Sequence, residues 1–379
     1  MEQNNNLKQQ YEVSPFELCF DLIYAFALSQ VTEFLLDDLA WITILEAVII
    51  LGAVYMVWSY TSWAVTMIPI EQQKSRQMIL IIMLLGFIMN ASINQAFDGK
   101  PYLFAGLYLL IHGGRTVWTL INSPSKAFKE HFHRVLIWYI ISAPFWLIGI
   151  FSPDQLRIIL WSIGIALDLA GTWTAHPIFR RKLHSEDINF DDGHLLERCR
   201  LFRIIAFGEM VFSAGAALQE ADLSTMSILL ASVAMIEIIA LLSLTFGRFV
   251  KIVAKHREKS SNPILVSRYA INALVIIMIG IVFMSVGNKY IILHPYEKLP
   301  LILVCLIISG PIMFLLAQGW YLYKIPQVRP TLYLISGMGF LLSVIIGLNQ
   351  DAWIYHLLIG TILVFITYLD IRYMNGDHR

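Results

Sequence analysis

The chain has 379 residues, of which 58% are hydrophobic and 14% charged, and Lys+Arg balances Asp+Glu at 27 each. Soluble domains run nearer roughly 45–50% apolar and 25% charged, which excludes a soluble enzyme, a disordered chain and a nucleic-acid-binding protein. The apolar runs are about 20 residues long and do not alternate, so an outer-membrane barrel is excluded as well, leaving an all-α polytopic membrane protein.

Residues 1–15 read as a polar cytoplasmic tail without a cleavable signal sequence. Candidate spans at 16–36, 40–66, 77–97, 101–122, 135–151 and 156–176 form a first six-helix half, 16–176, and a cytoplasmic loop follows at 177–199. Spans at 200–219, 224–246, 266–287, 299–321, 330–348 and 353–373 form a second half, 200–373, before a cytoplasmic tail at 374–379. The expectation is about 12 transmembrane helices. Both halves begin on the same side, so a duplication would relate two parallel six-helix halves.

In the first span, Glu17, Asp21, Ala25, Leu28 and Thr32 share one side at about 100° per residue. That stripe should face protein or water rather than lipid. The second span is crowded with Tyr55, Trp58, Tyr60 and Trp63, the composition of an interfacial aromatic belt. Met78, Met83 and Met89 in the third are irregularly spaced and read as packing, not copper ligation. In the fourth, Arg115 follows Gly113-Gly114, with His112 one turn back. His131 and His133 lie among Lys126, Lys129 and Arg134 and read as a solvated basic loop. Asp168 is near the middle of the sixth span, and Glu237 near the middle of the eighth. The acids of SEDINFDDG in the central loop do not follow the ligand order of an EF-hand. Glu209 is at mid-depth in the seventh span, behind Gly208, a residue that lets another backbone approach.

A charge at the bilayer centre costs on the order of 2.5–3.5 kcal/mol on insertion scales. Glu17, Asp21, Arg115, Asp168, Glu209 and Glu237 are therefore the candidate ion, proton or substrate site, with Arg115 and Arg203 as countercharges and Arg115 the expected partner of Glu209. The competing reading is a set of packed ion pairs that fixes helix register.

The positive-inside rule supports the count. With a cytoplasmic N-terminus, 22 of the 27 Lys and Arg fall in inside segments, four fall outside, and Arg115 lies within a helix. Cys19, Cys199 and Cys305 form no pairable set. No phosphate-binding loop, zinc helix or nucleophile elbow is present, and no catalytic residue, metal site or cofactor site is nominated. The expectation is a protein that is not an enzyme.

Two segments carry a resemblance. SPFELCFDLIYAFALSQVTEFLL, residues 14–36, is similar to the first-helix pattern of the bacterial low temperature requirement A family at Glu17, Phe20, Asp21, Phe26, Ala27, Gln30 and Thr32. HLLERCRLFRIIAFGEMVFSA, residues 194–214, resembles its second signature at His194, Glu197, Arg198, Leu201, Phe202, Ile204, Ile205, Gly208 and Glu209. Cys19, Cys199-Arg200 and Phe207 depart from the pattern, and Arg203 adds a charge beside it. The resemblance implies a bacterial inner-membrane protein associated with growth in the cold. It names a phenotype and no reaction.

Twelve spans and mid-membrane charges lead to a secondary transporter or channel-like permease of unknown substrate. The alternative is a non-transporting factor that binds lipid or a partner and supports cold adaptation. The partners expected are the lipid bilayer and a small molecule or ion, with no nucleic acid. Oligomeric state is left open.

Overall fold

The computed structural model describes residues 13–68, 73–123, 125–178, 192–250, 252–253, 256, 263–325, 331–347 and 350–376. Regular structure there is helical, apart from isolated bridges such as Lys298–Asp351. The long helices are α1 Pro15–Asp37, α2 Trp41–Met67, α3 Gln73–Ala91, α4 Pro101–Asn122, α5 Lys126–Ile150, α6 Asp154–Thr174, α7 Asp192–Glu220, α8 Thr225–Leu244, α9 Pro263–Leu293, α10 Leu301–Tyr323, α11 Thr331–Gly347 and α12 Ala352–Gly376.

Among the described residues, ten helices are long and apolar enough to cross a membrane. The other two fall short for different reasons. Helix α4 has 22 residues, about 33 Å at 1.5 Å per residue, but His112-Gly-Gly-Arg115 makes it more polar. Helix α11 is apolar but has only 17 residues. Large apolar side chains point outward, with Leu84 62% and Ile121 71% exposed. Water would penalise that surface, whereas lipid does not.

Two helices begin earlier than hydropathy predicts. Helix α5 starts at Lys126 rather than 135, so His131 and His133 are helical and not in a loop. Basic residues depress hydropathy, but Phe128, Phe132 and Val135 recur on one helical face and are buried. Helix α7 starts at Asp192, which places His194, Glu197 and Arg198 on it; most of the acidic SEDINFDDG segment lies outside the described residues.

The chain divides into two compact units: Met1–Phe34, Ile44–Phe202 and Asn262–Asn272 in the first, and Leu35–Thr43, Arg203–Ser261 and Ala273–Arg379 in the second. In the first, α3, α4, α5 and α6 pack as sequential neighbours. Two indoles lock the α5–α6 hairpin. A Cβ on Gly149 would lie 2.4 Å from Trp161 Nε1, and one on Gly164 would lie 2.7 Å from Trp146 Nε1, so each ring occupies space that only glycine leaves open. Trp161 Nε1 donates to the Trp146 carbonyl at 3.1 Å. Arg157, buried, donates to the carbonyls of Gly149 and Ser152 and so closes the C-terminal end of α5.

Helix α6 ends in a Schellman turn. Ala175 takes a left-handed φ of 62°, His176 follows at 51°, and the His176 N–H donates to the Gly171 carbonyl at 2.8 Å. Two non-glycine residues in that region cost roughly 1–2 kcal/mol each. The turn folds the imidazole back over Gly171 and toward Tyr60.

In the second unit, α12 packs on α8 and α11, and α11 packs on α10. Helices α9 and α10 touch backbone to backbone. A Cβ on Gly280 would lie 2.7 Å from the Gly310 carbonyl oxygen.

Candidate functional site

The first unit brings the two motif segments together at the start of α1. Ser14 and Glu17 form a capping box: the Ser14 N–H donates to Glu17 Oε2 at 2.9 Å, and the Glu17 N–H donates to Ser14 Oγ at 3.3 Å. The S-x-x-E spacing with Pro15 between could have signalled this helix start. The same Glu17 Oε2 lies 3.2 Å from His194 Nε2, and Oε1 lies 3.6 Å from Arg198 Nη1. One turn along, Asp21 Oδ1 accepts from Arg198 Nη2 at 2.6 Å and from Trp58 Nε1 at 2.8 Å. The guanidinium lies over the rings of Phe20 and Trp58, 5.4 and 5.8 Å from their centroids. Glu17, Asp21 and Arg198 are fully buried.

The stripe predicted on α1 does face inward: Glu17, Asp21, Leu28 and Thr32 are buried, and Ala25 is half-buried. Thr32 turns its hydroxyl onto its own helix, donating to the Leu28 carbonyl at 3.1 Å. Gln30 is half-buried. Glu197 does not join the cluster and pairs with Arg200 at 3.4 Å.

The aromatic residues of α2 are not an interfacial belt. Tyr55, Trp58 and Tyr60 are buried and each carries a hydrogen bond. A belt and a polar-lined core need the same amphipathic rings, so composition alone could not separate them.

Asp168 has neutral donors in place of a cation. Its Oδ2 accepts from Tyr108 Oη at 2.6 Å and from Trp146 Nε1 at 3.2 Å. On α4, Tyr108, His112 and Arg115 lie on one buried face. Tyr60 Oη meets Thr172 Oγ1 at 3.1 Å and also contacts His176 Nε2. Burial, with His131 and Arg134 alongside, holds the His176 imidazole well below its ordinary range, so it is neutral and can accept from the phenol. Arg115 Nη1 donates to the Val57 carbonyl at 3.2 Å and to Thr61 Oγ1 at 3.3 Å. The guanidinium expected to serve Glu209 thus engages α2.

Glu209 and Glu237 belong to the second unit. Glu209 is buried. The glycine before it leaves room rather than admitting a neighbouring backbone: a Cβ on Gly208 would meet only Phe212, at 3.9 Å. Arg203, read as a countercharge, lies over the Phe249 ring at 5.3 Å. Glu237 Oε2 accepts from Asn288 Nδ2 at 3.1 Å, and its Oε1 lies 3.6 Å from His356 Nδ1. His356 Nε2 meets the Leu230 carbonyl at 3.2 Å. A carbonyl can only accept, so Nε2 carries a hydrogen and Nδ1 is the nitrogen that faces Glu237. Sequence reasoning missed His356 and Asn288 because each is a lone polar residue on a separate apolar helix.

Residues 12–368, nearly the whole chain, match the profile of the bacterial low temperature requirement A protein (LtrA). The chain belongs to the low temperature requirement A family. It is also similar to an uncharacterized protein of Rhizobium meliloti (strain 1021), with 28% identity over 319 residues covering 83% of this chain and 78% of the relative. No solved structure matches. The motif residues of this low temperature requirement A protein that converge in space are Glu17, Phe20, Asp21, His194 and Arg198.

Proposed function

We propose that this low temperature requirement A protein is a proton-coupled secondary transporter or channel-like permease of the bacterial inner membrane, with both termini cytoplasmic, and that this activity underlies a role in growth at low temperature. The charge balance of the α1–α7 cluster carries the reading. Two buried carboxylates, Glu17 and Asp21, face one guanidinium, Arg198, and one imidazole, His194. With both acids ionised, the two carboxylates outnumber the guanidinium by one, so the set is neutral only when it holds one more proton. Leaving a buried charge unbalanced costs several kcal/mol. Proton uptake and release are therefore tied to how α1 and the first turns of α7 pack, which is the coupling a proton-driven carrier needs.

Asp21→Asn tests this directly. Asparagine keeps the shape and can accept from Trp58 and Arg198, while Glu17 and Arg198 then balance without an added proton. In liposomes carrying a pH gradient and an internal pH-sensitive dye, the wild-type protein should dissipate the gradient. Asp21→Asn should insert at normal abundance and lose at least tenfold of that flux. Unchanged flux in Asp21→Asn removes the cluster from the mechanism, and a tight wild-type vesicle removes the channel-like reading.

The proposed orientation has its own check. Reporter fusions at Asn189 and at Arg379 should both read cytoplasmic, following the Lys and Arg asymmetry. An external signal at either position rejects it.

A further inference from the structure

Arg115 is 2% exposed, and among the described residues it has no carboxylate partner. The acids of the same unit are engaged elsewhere. Asp168 is held by Tyr108 and Trp146, and Glu17 and Asp21 face Arg198. One end of the guanidinium is anchored, with Nη1 on Val57 and Thr61 of α2. The opposite edge is unpartnered: Nε and Nη2 are buried and have no hydrogen-bond partner. Those two N–H groups form the parallel fork that grips a planar carboxylate through both oxygens. The Tyr60 ring lies beneath the guanidinium at 5.1 Å. The buried hydroxyl of Tyr24, within electrostatic range of Arg115, and Nδ1 of His112, one turn away on α4, are also unpartnered.

We propose that Arg115, anchored on α2 and unpartnered along its buried Nε–Nη2 edge, is the anchor of a binding site for a small monocarboxylate. One uncompensated positive charge calls for one negative charge, since a dianion would leave its excess buried. A planar fork favours a carboxylate over a spherical halide. The Tyr60 ring beneath the guanidinium suits a ligand whose body is apolar and short. The assignment names the substrate class of the transporter proposed above and rests on that reading for its consequence: the carboxylate is cargo, and the α1–α7 cluster supplies the proton that travels with it.

The test uses the full-length protein in detergent and propionate as probe, with chloride and inorganic phosphate at matched ionic strength. Propionate should raise the melting temperature saturably, and chloride and phosphate should not. Arg115→Gln removes a buried charge that lacks a partner, so it should fold and show no propionate response. Arg115→Lys keeps the charge but loses the fork, so propionate should bind at least tenfold more weakly. An unresponsive wild-type protein overturns the site, as does an undiminished response in both variants. An equal response to chloride or phosphate overturns the carboxylate assignment. Vesicle flux separates the two proposals: propionate binding without proton-linked uptake sinks transport and leaves the site, whereas proton flux without propionate binding sinks the site alone.

Discussion

Arg198→Ala should leave little folded protein in the membrane. Arg198 is fully buried between Glu17 Oε1 at 3.6 Å and Asp21 Oδ1 at 2.6 Å. Truncation strands two buried carboxylates without their guanidinium, and breaking a buried pair in this way costs about 3–5 kcal/mol. It also strips the cation from over Phe20 and Trp58, worth roughly 0.5–2 kcal/mol more. That total is a large fraction of typical domain stability, about 5–15 kcal/mol. The measurement is the monodisperse peak of a fluorescently tagged protein in detergent, with its melting temperature. A second variant separates charge from packing. Arg198→Met combined with Glu17→Gln and Asp21→Asn replaces all three charges with shapes of similar size, and it should recover most of the abundance while remaining without flux. Wild-type abundance in Arg198→Ala alone would mean that the acids hold their own protons and that the cluster is not an ion pair.

Gly280→Leu should be comparably damaging for a different reason. A Cβ at Gly280 would sit 2.7 Å from the Gly310 carbonyl oxygen, and one at Gly310 would sit 2.9 Å from the Gly280 oxygen. The contact is backbone on backbone, so no side chain can rotate away, and α9 and α10 must separate. Small residues allow such close approach, and helix packing in lipid depends on it. Overpacking costs about 1–3 kcal/mol where neighbours can adjust, and here they cannot. A fall in melting temperature with loss of the monodisperse peak is expected. Gly106→Ala is the control: a Cβ there meets nothing within 4 Å, and alanine favours the helix by about 0.5–1 kcal/mol. Equal effects at the two positions would show that glycine as such, rather than the crossing, matters.

Membrane residence and the position of nearly every helix followed from local chemistry. About 20 apolar residues make a span whatever they pack against, and an all-α architecture is the outcome that satisfies every backbone group in lipid. The inward stripe of α1 was legible for the same reason, since helical periodicity places Glu17, Asp21 and Thr32 on one side without reference to any partner. The basic start of α5 was misread as a loop because its charges depress hydropathy, and burial of Phe128 and Phe132 outweighs the charges between them.

Partnership was a tertiary matter. In the sequence Arg198 lies among Arg180, Arg181, Lys182, Arg200 and Arg203, and nothing local marks it as the countercharge of two acids 177 and 181 residues away. The same holds for Trp58, whose indole was indistinguishable from an interfacial anchor until Asp21 appeared 2.8 Å from its nitrogen. Arg115 was expected to balance Glu209, yet its anchored end engages α2 while its other edge is buried without a hydrogen-bond partner. Residue type sets what a buried charge requires, whereas only the packing of helices distant in sequence decides which group, if any, meets that requirement.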